Sequence, residues 1–266
     1  VRSLGGPQEV NTAYPRATSA LVWETVIVLG CTLGKSGWYS LLNIVNRLTA
    51  GPPLSEQTTT MNASTTPDRP WLDFVYELSD NLFPFFWPAV ALYLLWRVRP
   101  DPGAPFRSIG LDATRVGRDL LQGLAVAVCV IGPALGWYLL ARRLGWSTHL
   151  VMGALADVWW AIPMYVLAAF MNGFLEEVLM IGYLFSRWSR AGWNRWAIVV
   201  TSALVRGSYH LYQGFGGFAS NLVFGLLLGW FYLRQRRLWV LVIGHAMIDV
   251  IAFVGYSLVS PLVDWL

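Results

Sequence analysis

The sequence predicts an all-α fold, a polytopic helical bundle embedded in a membrane, and three observations carry that prediction. The first is composition. Of 266 residues, 56% are hydrophobic and only 13% charged, with a mean hydropathy of +0.50, whereas soluble domains carry about 25% charged residues. The second is a set of seven apolar segments, at 19–46, 72–96, 119–141, 158–186, 195–212, 217–233 and 238–263, to be set against the roughly 20 helical residues that cross a bilayer. The third is the placement of arginine. Arg97, Arg99, Arg107, Arg115 and Arg118 share one connection, Arg187, Arg190 and Arg195 a second, and Arg234, Arg236 and Arg237 a third. Seven spans put all three connections on one side, which their positive charge marks as cytoplasmic. Arg142 and Arg143 fall on the opposite side.

Taken in order, residues 1–18 form an N-terminal cytoplasmic segment without the apolar run of a signal peptide. Residues 19–266 form a single membrane domain. Its first segment is interrupted by "LGKSG" at 33–37, so it reads as one span or as a re-entrant pair, giving seven or eight transmembrane helices. Residues 51–70 are polar, Thr-rich and punctuated by Pro, an exposed loop. The fifth and sixth segments are short, and "YQGFGG" at 212–217 joins them as an antiparallel hairpin. Fifteen Trp and eleven Tyr suit many water–lipid boundaries. Cys31 and Cys129 lie far apart in apolar stretches and read as buried thiols, not as a disulfide or a metal cluster. The net charge of +4 resides in loop arginines, which argues for membrane orientation and against nucleic-acid binding. Membrane lipids, here those of the plasma membrane, are the expected surroundings; the oligomeric state is left open.

Ionisable groups at membrane depth are costly and mark function by default, with a partner nearby. The last four segments hold Glu176 and Glu177, Arg206 and His210, Asn221, and His245 and Asp249. Adjacent Glu176 and Glu177 project about 100° apart, so both can face one cavity. Arg206 with His210, and His245 with Asp249, are each four residues apart on one helical face. Each patch has a plain alternative: a hydrogen-bonded core histidine, an interhelical pair, or a structural ion pair between the glutamates and Arg206. Three patches in order within 74 residues favour convergence on one wet pocket. His149, in the polar stretch "WSTHL", reads as an interfacial loop residue. Helix rise puts His245 roughly 10 Å and His210 roughly 22 Å from the cytoplasmic side, so a shared pocket requires tilted helices or shifted helix ends. Paired carboxylates can divide the tasks of holding a proton and deprotonating water. Neutral imidazoles can orient water or bind a metal. No Ser or Cys has a general-base setting, and H-E-x-x-H is absent.

These residues resemble the motifs of the CAAX protease and bacteriocin-processing (CPBP, or Abi) family of intramembrane proteases. Its E-E-x-x-x-R, F-x-x-x-H and H-x-x-x-N/D would be "EEVLMI" (176–181), "RGSYH" (206–210) and "HAMID" (245–249). The similar core covers about 158–250, and the N-terminal half looks similar to actinobacterial members. The resemblance implies hydrolysis of a peptide bond in a membrane-associated or lipidated substrate. Glu176 or Glu177 would be the general base, His210, His245 and Asp249 would complete the site, and Arg206 and Asn221 would be accessory. It leaves open a Zn2+ bound through Glu177, His210 and His245, or glutamate-activated water with no metal. The chain departs from the pattern twice: Ile181 stands at the Arg position and Arg206 at the Phe position. Either Arg206 returns the cation to the same pocket from the neighbouring helix, or the site has decayed. The functional alternatives are therefore a catalytically degenerate relative acting as a membrane regulator or bacteriocin-immunity protein, and a small proton pathway, against which the chain has no second half with matching polar interruptions.

Overall fold

In hydrocarbon a backbone must satisfy its own N–H and C=O groups, and all seven apolar segments do so as helix. The computed structural model describes residues 13–98, 103–155 and 157–263; residues 1–12 of the expected N-terminal segment and Arg99 lie outside them. The helices are α1 (Ala13–Cys31), α2 (Leu33–Thr49), α3 (Pro70–Leu82), α4 (Phe86–Val98), α5 (Ala104–Ile109), α6 (Val116–Arg143), α7 (Ala161–Glu177), α8 (Leu184–Arg190), α9 (Arg195–Ser208), α10 (Phe215–Gln235) and α11 (Leu238–Val259). A single 3-10 turn, Phe83–Phe85, links α3 to α4, and a π-helical turn, Val178–Tyr183, links α7 to α8. Among the described residues five helical stretches are long and apolar enough to cross a membrane: Pro70–Arg97, Ala113–Arg143, Ala161–Arg190, Phe215–Gln235 and Leu238–Leu262. The protein is an all-α, polytopic membrane bundle.

Several expectations need correction. The "LGKSG" stretch does not break a helix: the interruption falls at Thr32, where φ −123° and ψ −114° are non-helical, and Leu33 onward is regular. The 51–70 connection is not simply an exposed loop. Thr58–Thr60 (β1) pairs in parallel with His149–Val151 (β2), and Leu54 and Thr59 are buried. Cys31 and Cys129 are free, but exposed, because in lipid the outward face of a helix is as apolar as its core. Arg187 and Arg237 are buried, so these two form structural ion pairs and are not solvated loop charges. The fifth segment stays helical only to Ser208.

The β1–β2 ribbon closes one end of the bundle. The Thr59 hydroxyl donates to the Tyr212 carbonyl at 3.2 Å and the Thr148 N–H to the Gln213 carbonyl at 3.1 Å, fixing the turn after α9. Beside the ribbon, burial and the Arg142 guanidinium push the His149 imidazole down from its ordinary value. At the opposite end Arg187 donates from Nη2 to the Leu94 carbonyl and pairs through Nε with Glu24 at 2.7 Å, tying α1, α4 and α8 together. Nearby, Arg237 forks onto Asp119 and also pairs with Asp112 at 2.9 Å. Trp239 Nε1 donates to the Leu111 carbonyl at 2.7 Å. The three arginine-bearing connections are thus gathered at one end, held by a clasp across the α10–α11 turn.

The core of the bundle is set by close helix approach. A Cβ on Gly173 would lie 2.9 Å from Ala246 N and 3.0 Å from the Val242 carbonyl, and one on Gly225 would lie 2.9 Å from Ala203 Cα. Small residues let membrane helices pack backbone to backbone, where lipid offers no hydrophobic drive to association. Gly173 thereby pulls α11 onto α7, and Gly225 pulls α10 onto α9.

Two outcomes are expected of the clasp. Arg237→Met leaves the buried Asp119 carboxylate unpaired, and the detergent-solubilised protein should lose roughly 3 kcal/mol, read as a lower thermal midpoint. The hydrogen bond from Thr114 chiefly, and Arg237 with it, hold the Asp112 carboxyl down at about 2. A depressed folded-state pKa stabilises above the unfolded value, near 3.9, so the Asp112 contribution should persist at pH 5 and be lost only as pH falls through about 2. Unfolding midpoints measured across that window check it.

Candidate active site

One turn beyond Gly173, α7 presents Glu177 to α11, which places His245 there. His245 Nδ1 donates to Glu177 Oε1 at 2.8 Å, and its Nε2 lies 3.9 Å from Asp249 Oδ2. From α9, Arg206 reaches across to both acids: Nη1 donates to Glu176 Oε2 at 3.0 Å and Nη2 to Glu177 Oε1 at 2.7 Å. Phe224 of α10 walls the cluster, its ring 5.5 Å from the guanidinium carbon and edge-on to His245. The three polar patches therefore converge.

The two glutamates occupy different settings. The Glu177 side chain is 0% exposed, and its Oε1 accepts from both Arg206 and His245. The Glu176 side chain is 12% exposed, and its Oε2 accepts from Arg206 and from the Tyr209 hydroxyl at 2.7 Å. Arg206 Nε and Glu177 Oε2 are buried and have no protein partner. The cluster thus retains one donor and one acceptor that buried polar groups ordinarily use.

His210 joins the site because α9 ends before it. The turn at Tyr209 and His210 leaves the helix, and the His210 Nδ1–H donates to the Arg206 carbonyl at 3.0 Å. That bond fixes the tautomer and leaves Nε2 as the lone-pair nitrogen. Its ring lies tilted by 40° with its centroid 4.8 Å from that of Tyr209, the residue bonded to Glu176. Arg206 spans the expected difference in depth, its guanidinium lying against Glu177 and His245 while its carbonyl accepts from His210. Asn221 behaves differently: its amide donates to the Gly217 carbonyl of its own helix at 3.0 Å and joins none of the hydrogen bonds of the cluster.

Ile181, at the position of the missing arginine, is 1% exposed inside the π-helical turn and packs in the apolar core. Two contributors were not singled out from sequence. Tyr209 stands beside His210 in the motif but carries no periodic signal. Asn172, which donates to Asp249 Oδ2 at 3.4 Å, lies four residues before Glu176, a spacing that marks the same helix face.

The donor set does not fit a bound divalent ion. Among the described residues no three His, Cys, Asp or Glu side chains group to hold one. The guanidinium of Arg206 already sits against both carboxylates, where a second cation would be repelled, and His245 Nδ1 is committed to Glu177.

Fold and site define a membrane-embedded helical bundle with a buried acid–base cluster built on three helices. Residues 158–251, about a third of the chain, match the Rce1-like family model, described as type II CAAX prenyl endopeptidase Rce1-like, which supports the resemblance to the CPBP family. Neither a curated protein nor a solved structure matches the chain.

Replacing Arg206 by Met should destabilise the protein by about 3–5 kcal/mol, since two buried carboxylates lose their counter-ion. Adding Ile181→Arg to that variant tests whether a guanidinium from the neighbouring turn can serve the same acids. Recovery of the thermal midpoint is expected; no recovery would show that the two positions are not interchangeable.

Proposed function

We propose that the protein is an intramembrane endopeptidase that hydrolyses a peptide bond of a membrane-associated or lipidated substrate with glutamate-activated water. The observation that carries this reading is the asymmetry of the two acids. Each acid has one oxygen engaged, but Glu176 is reachable, whereas Glu177 is enclosed and held by Arg206 and His245. Glu176 is therefore the general base. Arg206 and Tyr209 hold its Oε2, which leaves Oε1 to take the proton of the attacking water. His210 Nε2, without a proton in this tautomer, accepts from that water and orients it. As the tetrahedral intermediate forms, negative charge develops on the former carbonyl oxygen, and the donor left for it is the Arg206 guanidinium, whose Nε has no protein partner. Glu177 hydrogen-bonded to His245, with Asp249 3.9 Å beyond the imidazole and bonded to Asn172, forms a polar frame that keeps Arg206 in place.

Arg206 on this reading supplies the cation that Ile181 lacks, from the adjacent helix. No zinc is required, because the guanidinium performs the electrostatic work a metal would do. The arginine-rich end faces the cytoplasm of a plasma membrane, in keeping with the clustering of those residues. The family of the matched segment supports proteolysis as the reaction class. The competing reading is a degenerate relative with a regulatory or immunity role, favoured by Ile181 alone.

Cleavage of a fluorogenic peptide library by the purified protein is the direct test. Glu176→Gln should lower turnover by about 10²–10⁴-fold, the usual share of a general base. A zinc chelator should leave turnover unchanged; loss of activity that zinc restores would reverse the metal-free assignment. Wild-type protein that cleaves nothing would favour the regulatory reading.

A further inference from the structure

Beside the catalytic cluster, lined mostly by elements outside the matched segment, lies a half-open cavity of about 350 Å³. Thr32, Lys35 and Tyr39 of the α1–α2 junction form one wall, Pro84 and Trp87 of the α3–α4 junction a second, and Leu175 of α7 the third. Leu175 immediately precedes Glu176. The cavity exists because three helices are irregular at about one level. Thr32 breaks α1 from α2, Phe83–Phe85 winds tightly, and the π-helical turn begins just past Glu177. The ribbon joins the C-terminus of α2 to the N-termini of α3 and α7. From those ends Lys35, Pro84 and Leu175 are each 14 residues along, about 21 Å at the helical rise.

Lys35 is the single lysine in the chain. It is exposed, and its ammonium lies 6.0 Å from the Tyr39 ring centroid. Among the described residues no carboxylate pairs with it. A cation at membrane depth is expensive and is kept where it meets an opposite charge. Lys35 lies in the first turn of α2, directly after the break at Thr32. The cavity volume is at the lower end of small-ligand pockets, enough for a few residues of peptide.

We propose that this cavity binds a carboxylate of the peptide substrate, with Lys35 as its counter-ion, and so presents the adjoining peptide bond to Glu176. The site rests on the proteolytic reading for the identity of its ligand, and its test does not depend on turnover. Short apolar peptides bearing an N-terminal fluorophore are prepared in three forms: a free C-terminal carboxylate, a C-terminal amide, and an amide with one internal Glu. Their binding to the full-length chain in detergent, as wild type and as Glu176→Gln to prevent cleavage, is followed by fluorescence anisotropy.

At least one carboxylate-bearing form should bind about tenfold tighter than the plain amide, a difference of ~1.4 kcal/mol. Lys35→Gln should remove the preference while leaving amide binding unchanged, and Lys35→Arg should retain it. Which acid form gains identifies a chain terminus or a side chain as the source. Equal binding of all three forms, no binding, or a preference that survives Lys35→Gln would overturn the proposal. So would Lys35-dependent retention of phosphatidylglycerol that blocks the peptides, which would assign the cavity to lipid. A Lys35-dependent preference without any cleavage by wild type would sink the proteolytic reading and keep the site; cleavage without the preference would do the reverse.

Discussion

The structure turns on one buried guanidinium held against two carboxylates. Arg206 and Glu177 are almost without solvent exposure, at a depth where any of the three charges alone would be costly. Each therefore requires the others, and each belongs to a turn whose position the cluster depends on. α7 must bring the acids, α9 the arginine, and α11 the histidine that shares Glu177. Breaking such a group by removing one member leaves an uncompensated charge, which is why the arrangement behaves as a unit.

That requirement explains the local irregularities around it. Gly173 is there because α11 must come within backbone contact of α7 for His245 to reach Glu177. Gly225 plays the same part for α9 and α10. α9 ends at Ser208, so that His210 can turn back onto the Arg206 carbonyl and lie beside Tyr209. The ribbon then pins the following turn through Thr59 and Thr148. Away from the site, Arg187 and Arg237 repeat the pattern of a buried arginine tying separate elements, as structural fastenings near the opposite end of the bundle.

Much of the fold was legible in the sequence because the bilayer imposes a simple rule. Apolar runs become helices, and all seven are mainly helical, though among the described residues only five stretches are long and apolar enough to cross a membrane. Their ends and breaks were less legible: the interruption near 33–37 proved to lie at Thr32, and the polar 51–70 connection hid a strand. The strand depends on contacts with residues distant in sequence, Thr148 and His149 among them. The exposed cysteines show the same limit, since composition alone does not distinguish a lipid-facing position from a core one.

The sequence by itself determined the helical membrane bundle, the three polar patches, and the absence of arginine at 181, because residue type and spacing are local properties. The tertiary structure decided what those patches are to each other. It divided Glu176 from Glu177 by exposure, placed the Arg206 guanidinium against both, brought in Tyr209 and Asn172, and set Asn221 apart in its own helix. The physical reason is that a charge deep in hydrocarbon is defined by its partners, and those partners come from other helices, whose approach no local spacing specifies.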